Sequence, residues 1–148
     1  MRPLVSLLSL GILATSIHAG DSVSGKFTGE GKPSKLAFAS SRKDETFKDK
    51  PYIMLYFTEK DPHGSTKFAN GDFGCALTIS IENDGKIAGC QVTHSGFTKG
   101  GFWTANNIKM TEFKKAGGRL TGKISTGGEQ TTLNKKWDVE ITFDVKAP

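Results

Sequence analysis

Apolar and polar residues alternate along most of this chain, the mark of strands with one buried face. The clearest stretch is the last: Trp137, Val139, Ile141, Phe143 and Val145 share one face, and Asp138, Glu140, Thr142 and Asp144 the other. A second stripe joins Cys75, Leu77, Ile79 and Ile81, with Ala76, Thr78, Ser80 and Glu82 facing away. Shorter strands are predicted over 23–29, 36–41, 105–110 and 119–125. Residues 52–57 are apolar on both faces, which predicts a central strand whose outer face is covered or functional. Asn83-Asp84-Gly85-Lys86 reads as a hairpin with Asp84-Gly85 as its two-residue turn, because Asp-Gly accepts the positive φ of tight turns. Gly117-Gly118 and Gly127-Gly128 punctuate later hairpins. No segment has a sustained helical period; only 110–116 could form a turn or two of helix.

This layout predicts an all-β fold, an antiparallel β-sandwich of seven or eight short strands, with a small closed β-barrel as the alternative. The core is expected to hold Phe27, Leu36, Phe38, Ile53, Leu55, Phe57, Leu77, Ile79, Ile81, Val92, Ile124, Trp137, Val139, Ile141 and Phe143.

The first nineteen residues break the alternation. Arg2 precedes an apolar run over 4–14, and Ala19 offers a small residue at a cleavage point. A charged start, an apolar middle too short to span a bilayer and a small residue before the cut make a secretory signal peptide. Residues 1–19 are therefore read as signal peptide and 20–148 as one exported domain, periplasmic or extracellular, with no membrane span once the signal is removed. The 18 glycines reinforce strands and turns. The net charge of +5 is spread among nearly as many acids. It suits solubility or weak attraction to anionic glycans or lipid headgroups. Basic residues are not interleaved with aromatics, so nucleic acid is excluded as a partner.

The hairpin also bears on the two cysteines. Pairing outward from an Asp84-Gly85 turn sets Ile79 opposite Cys90, Leu77 opposite Val92 and Cys75 opposite His94. Four ladder positions, about 13 Å at strand rise, then separate the cysteines, whereas a disulfide needs Cα atoms within about 7 Å. Two buried thiols are expected, and a disulfide, which the export reading favours, would need a bulge or another pairing. A thiol facing an imidazole is the working part of cysteine nucleophiles. Cys75 and His94 lie on the core-facing side, however, with no third group to orient the ring, so no catalytic residue is assigned.

Two constellations remain. Tyr52 and Tyr56 share a face opposite Ile53, Leu55 and Phe57, and of the adjacent Phe102 and Trp103 at least one points away from the core. Exposed Tyr and Trp suit stacking on sugars or docking a protein. These four are the candidate ligand-binding residues, for a partner protein or a cell-surface glycan. The long stretch 59–74 carries Glu59, Asp61, His63 and Asp72, whose oxygen and imidazole donors suit a divalent cation. A small metal-dependent hydrolase using this loop and His94 is the alternative function; otherwise no cofactor is expected.

The segments Tyr52-Ile53-Met54-Leu55-Tyr56-Phe57-Thr58-Glu59-Lys60, Asn83-Asp84-Gly85, Leu120-Thr121-Gly122-Lys123-Ile124-Ser125-Thr126-Gly127-Gly128 and Trp137-Asp138-Val139-Glu140-Ile141-Thr142-Phe143 follow one another in a layout that resembles small exported bacterial β-domains of unknown function. The resemblance spans nearly all of 20–148. It implies a secreted β-fold, transfers no catalytic residue, and does not include cysteines at the positions of Cys75 and Cys90.

Overall fold

The computed structural model describes residues 20–47, 49–68 and 71–148; the signal-peptide reading of 1–19 lies outside them. Among the described residues eleven strands form two antiparallel sheets. They are β1 (Ser22–Gly29), β2 (Lys32–Ser34), β3 (Phe38–Asp44), β4 (Tyr52–Thr58), β5 (Ala76–Ile81), β6 (Ile87–Thr93), β7 (Phe102–Thr104), β8 (Lys109–Ala116), β9 (Arg119–Ser125), β10 (Gln130–Thr132) and β11 (Lys135–Lys146). One sheet runs β2-β1-β11-β9-β8, with β10 also paired to β11; the other runs β3-β4-β5-β6-β7. The sheets pack face to face and do not close, so the sandwich expectation holds and the barrel does not. Three of the eleven strands have only three residues and carry too little alternation to be read from sequence.

The 12-residue β11 is the spine of the first sheet, pairing with β1 on one side and with β9 and β10 on the other. Its inward stripe, Trp137 to Val145, is almost fully buried. Aromatic contacts cross between the sheets: Phe57 of β4 meets Phe143 of β11 at 5.5 Å, and Phe102 of β7 meets Trp137 at 5.3 Å. The Trp137 Nε1–H donates to Thr132 Oγ1 at 3.0 Å, which satisfies the polar edge of this buried ring.

The expected core is buried except at Phe38, which is 39 % exposed. Leu36 is buried ahead of β3 in a non-strand segment, so the period of two does not carry from Leu36 to Phe38. Phe38 instead pairs with Thr58 on the outer side, and Ala39 packs inward. Residues 110–116 are extended in β8, not helical, and the strand expected over 105–110 begins only at Lys109. The turn after β5 also differs by one residue. Gly85 N–H donates to Glu82 O and Glu82 N–H to Lys86 O, so Asn83 and Asp84 are its central pair and Gly85 follows at φ +88°. A bulge between Ser80 and Ile81 then restores the expected register, with Ile79 opposite Cys90 and Leu77 opposite Val92. Both cysteines are free and buried.

Candidate functional site

The outer face of the five-stranded sheet is built by its register. Ser40, Tyr56, Thr78, Gln91 and Trp103 are successive partners across β3, β4, β5, β6 and β7, so their side chains stand in one row. Next to it runs the row of Arg42, Met54, Ser80 and Gly89. Trp103 is 62 % exposed, yet its position is constrained from below. The indole lies across Gly89 of the neighbouring strand, where a Cβ would fall 2.5 Å from Cζ2 and 2.9 Å from Nε1. A glycine in a strand interior often marks such a close approach. One ring face rests on the sheet and the other is open.

The opposite end of the row is walled by the 59–74 loop. Phe68 of that loop meets the Tyr56 ring edge-on at 5.1 Å and Phe73 at 5.6 Å. Partial burial pushes the Tyr56 phenol above its ordinary range. A cleft of about 370 Å³ opens beside it, lined by Phe38, Arg42, Tyr56, Asp61, Gly64 and Ser65 among others. Arg42 Nη2 donates to Gly64 O at 2.6 Å, tying loop to sheet. Between Tyr56 and Trp103 lie Thr78 and Gln91, hydrogen-bonding side chains on a floor three strand spacings wide, about 14 Å.

Of the four aromatic candidates, Tyr56 and Trp103 thus share a row. Tyr52 is four residues along β4, beside the exposed Phe47 with ring centroids 6.2 Å apart. Phe102 points inward, 4 % exposed, between Phe97 and Trp137, and cannot contact a ligand on the outer face. Gly89, Thr78 and Gln91 escaped the sequence reading, although the predicted register already set Thr78 opposite Gln91.

The metal candidates do not converge. Glu59 Oε2 accepts the Cys75 N–H at 2.9 Å, a structural bond across the base of the loop. Asp61 accepts the His63 N–H at 2.8 Å and lies 3.6 Å from His63 Nδ1, both side chains open to solvent. Asp72 is exposed. Among the described residues no group of three or more His, Cys, Asp and Glu side chains is placed to hold a metal ion.

At one end of the sandwich, between the sheets, lies a second cluster. Just past the β5–β6 ladder, whose last pair is Ala76 with Thr93, Cys75 and His94 stand side by side. His94 is 4 % exposed, with Phe27 edge-on at 4.9 Å and Phe97 at 5.6 Å. Its Nδ1 accepts the Gly96 N–H at 2.9 Å, which places the ring proton on Nε2. With its proton on Nε2 and its Nδ1 lone pair taken by Gly96, the ring is not a base for the Cys75 thiol. Ser95 N–H lies 3.4 Å and Ser95 Oγ 3.6 Å from Cys75 Sγ. Burial pushes the Cys75 thiol up, but His94, Ser34 and both Ser95 groups more than reverse it, so the thiol sits below its ordinary range. Cys90, wholly enclosed, is pushed far up by burial alone.

No protein-family model, no curated protein and no solved structure matches this chain. Among the described residues no helix is long and apolar enough to cross a membrane.

Proposed function

We propose that this chain is an exported binding module that holds a glycan on the outer face of its five-stranded sheet. Export rests on the pattern of residues 1–19. The observation that carries the binding reading is Trp103, an exposed indole laid flat over Gly89 in line with Gln91, Thr78 and Tyr56. A ring that already rests on the sheet by one face loses less freedom than a free one when a ligand stacks on the other. Sugar rings combine flat C–H faces with hydroxyl edges, and this row sets two hydrogen-bonding side chains, Thr78 and Gln91, between two aromatic ones.

A protein partner fits the face less well. Stable protein interfaces bury about 800 Å² per partner around a dry, aromatic-rich centre. Here a single open indole and a half-covered Tyr56 flank a polar floor. Tyr56 and Trp103 stand far enough apart for an oligosaccharide, with the Arg42–Asp61 cleft at one end.

Affinity electrophoresis of residues 20–148 through gels containing xylan, soluble cellulose, chitosan or peptidoglycan fragments tests this. At least one polymer should retard the protein, and Trp103→Ala should weaken that retardation at least ten-fold, as for a central aromatic anchor. Retardation by none of them, or undiminished retardation of the variant, would remove the proposal.

A further inference from the structure

The Cys75 cluster is independent of the glycan face and lies between the sheets. Two buried polar atoms have no hydrogen-bond partner among the described residues, Ser34 Oγ and His94 Nε2. Native proteins seldom leave such groups unsatisfied, and each exception asks for an explanation. Both residues act on the same thiol, yet neither meets Sγ in hydrogen-bond geometry. Ser95 closes the cup with its N–H and hydroxyl, and Ser95 itself is exposed. Cys75, 1 % exposed, thus lies one residue beneath the surface. An oxygen atom added to Sγ would supply the acceptor that Ser34 and His94 lack.

We propose that Cys75 is a peroxide-oxidisable thiol whose sulfenic acid is held by Ser34, His94 and Ser95. The oxidant is hydrogen peroxide, small enough to pass under Ser95. The thiolate sulfur attacks one peroxide oxygen; the S–O bond forms as the O–O bond breaks. Sulfur loses two electrons to the peroxide, and the departing hydroxide takes up the proton released by the thiol, leaving water. The His94 Nε2–H and Ser34 hydroxyl then donate to the new oxygen. The Glu59 carboxylate, which reaches the backbone of Cys75, accepts the Cys75 N–H. Cys90 is about 13 Å away along the ladder, too far to form a disulfide with the product. A sulfenic acid without a resolving thiol persists.

The folded protein would be treated with hydrogen peroxide, cleared with catalase, and trapped with dimedone at increasing delays before peptide mapping. The expected result is a dimedone adduct on Cys75 and none on Cys90, with a lifetime shortened several-fold in both Ser34→Ala and His94→Asn. Circular dichroism confirms that each variant is folded; Ser34, on the short edge strand β2, guards against loss of the fold in the His94 variant. Three results would overturn the proposal. Cys75 could stay unlabelled in the folded protein while reacting after unfolding. Both cysteines could label at equal rates, which would indicate opening of the whole domain. Or the adduct's lifetime could be unchanged in two folded variants.

Discussion

Trp103 and Gly89 are fitted to one another across the β6–β7 pair. The indole covers the glycine so closely that Gly89 is buried although it belongs to the outer face. An alanine methyl at Gly89 would fall 2.5 Å from the indole, and since that ring is exposed it can swing away. Gly89→Ala is therefore expected to change stability by less than about 1 kcal/mol, because only the exposed indole has to give way, while weakening the proposed glycan binding as Trp103→Ala should. Urea unfolding paired with affinity electrophoresis checks both halves.

The two tryptophans should separate stability from binding. Trp137 is fully buried against Phe102 and hydrogen-bonded to Thr132. Trp137→Ala should cost about 3–5 kcal/mol. Trp103→Ala should move stability by no more than about 0.5 kcal/mol. Chemical denaturation of both variants measures the contrast.

At the other end of the cluster, Gly29 of β1 lies against His94, where a Cβ would come within 2.4 Å of the ring and Phe27 and Phe97 block retreat. Gly29→Ala should destabilise by about 1–3 kcal/mol through overpacking. A lowered urea midpoint with an unchanged m-value would be the signature.

Leu133 and Asn134 form the two-residue turn between β10 and β11, both at positive φ. Asn tolerates that conformation, but Leu133 at φ +48° is strained and 73 % exposed. Leu133→Gly should raise stability by about 1 kcal/mol, the steric cost of a left-handed residue. A thermal melt shows it as a higher Tm.

Enclosure of Cys90 makes stability depend on alkaline pH. Its thiol stays protonated in the fold while the unfolded thiol ionises above about pH 8.5. The unfolded state then binds fewer protons, so stability falls as pH rises beyond that point, by up to about 1.4 kcal/mol per pH unit. Between pH 9 and 11 Cys90→Ala should lose stability less steeply than the parent, as urea unfolding at each pH would record.

Much of this arrangement is legible in the chain. The alternation around Ile79 and the Asn83-Asp84-Gly85 turn signal were enough to set Cys75 beside His94. The turn is one residue off the expected one, and the bulge at Ser80/Ile81 cancels the shift. Two local errors of opposite sense left the long-range pairing intact. Phe38 was misread because strand parity carries across a segment only if that segment is extended, and the chain ahead of β3 is not. Ser34 and Gly29 could not be seen near His94, since they belong to the opposite sheet and only tertiary packing brings them there. Phe102 and Trp103 posed the converse problem. Adjacency showed that one must face outward, but three residues of β7 carry no period to say which.

Intrinsic tryptophan fluorescence tests the central claim most directly, because the two indoles sit in opposite environments: Trp137 is enclosed and Trp103 open. Titrating the protein with oligosaccharides of the polymer that retards it should shift the red-side emission to the blue as a sugar covers Trp103, and Trp103→Ala should abolish that shift. An emission spectrum unmoved by every oligosaccharide, or one that shifts equally in the variant, would contradict a glycan site on this face.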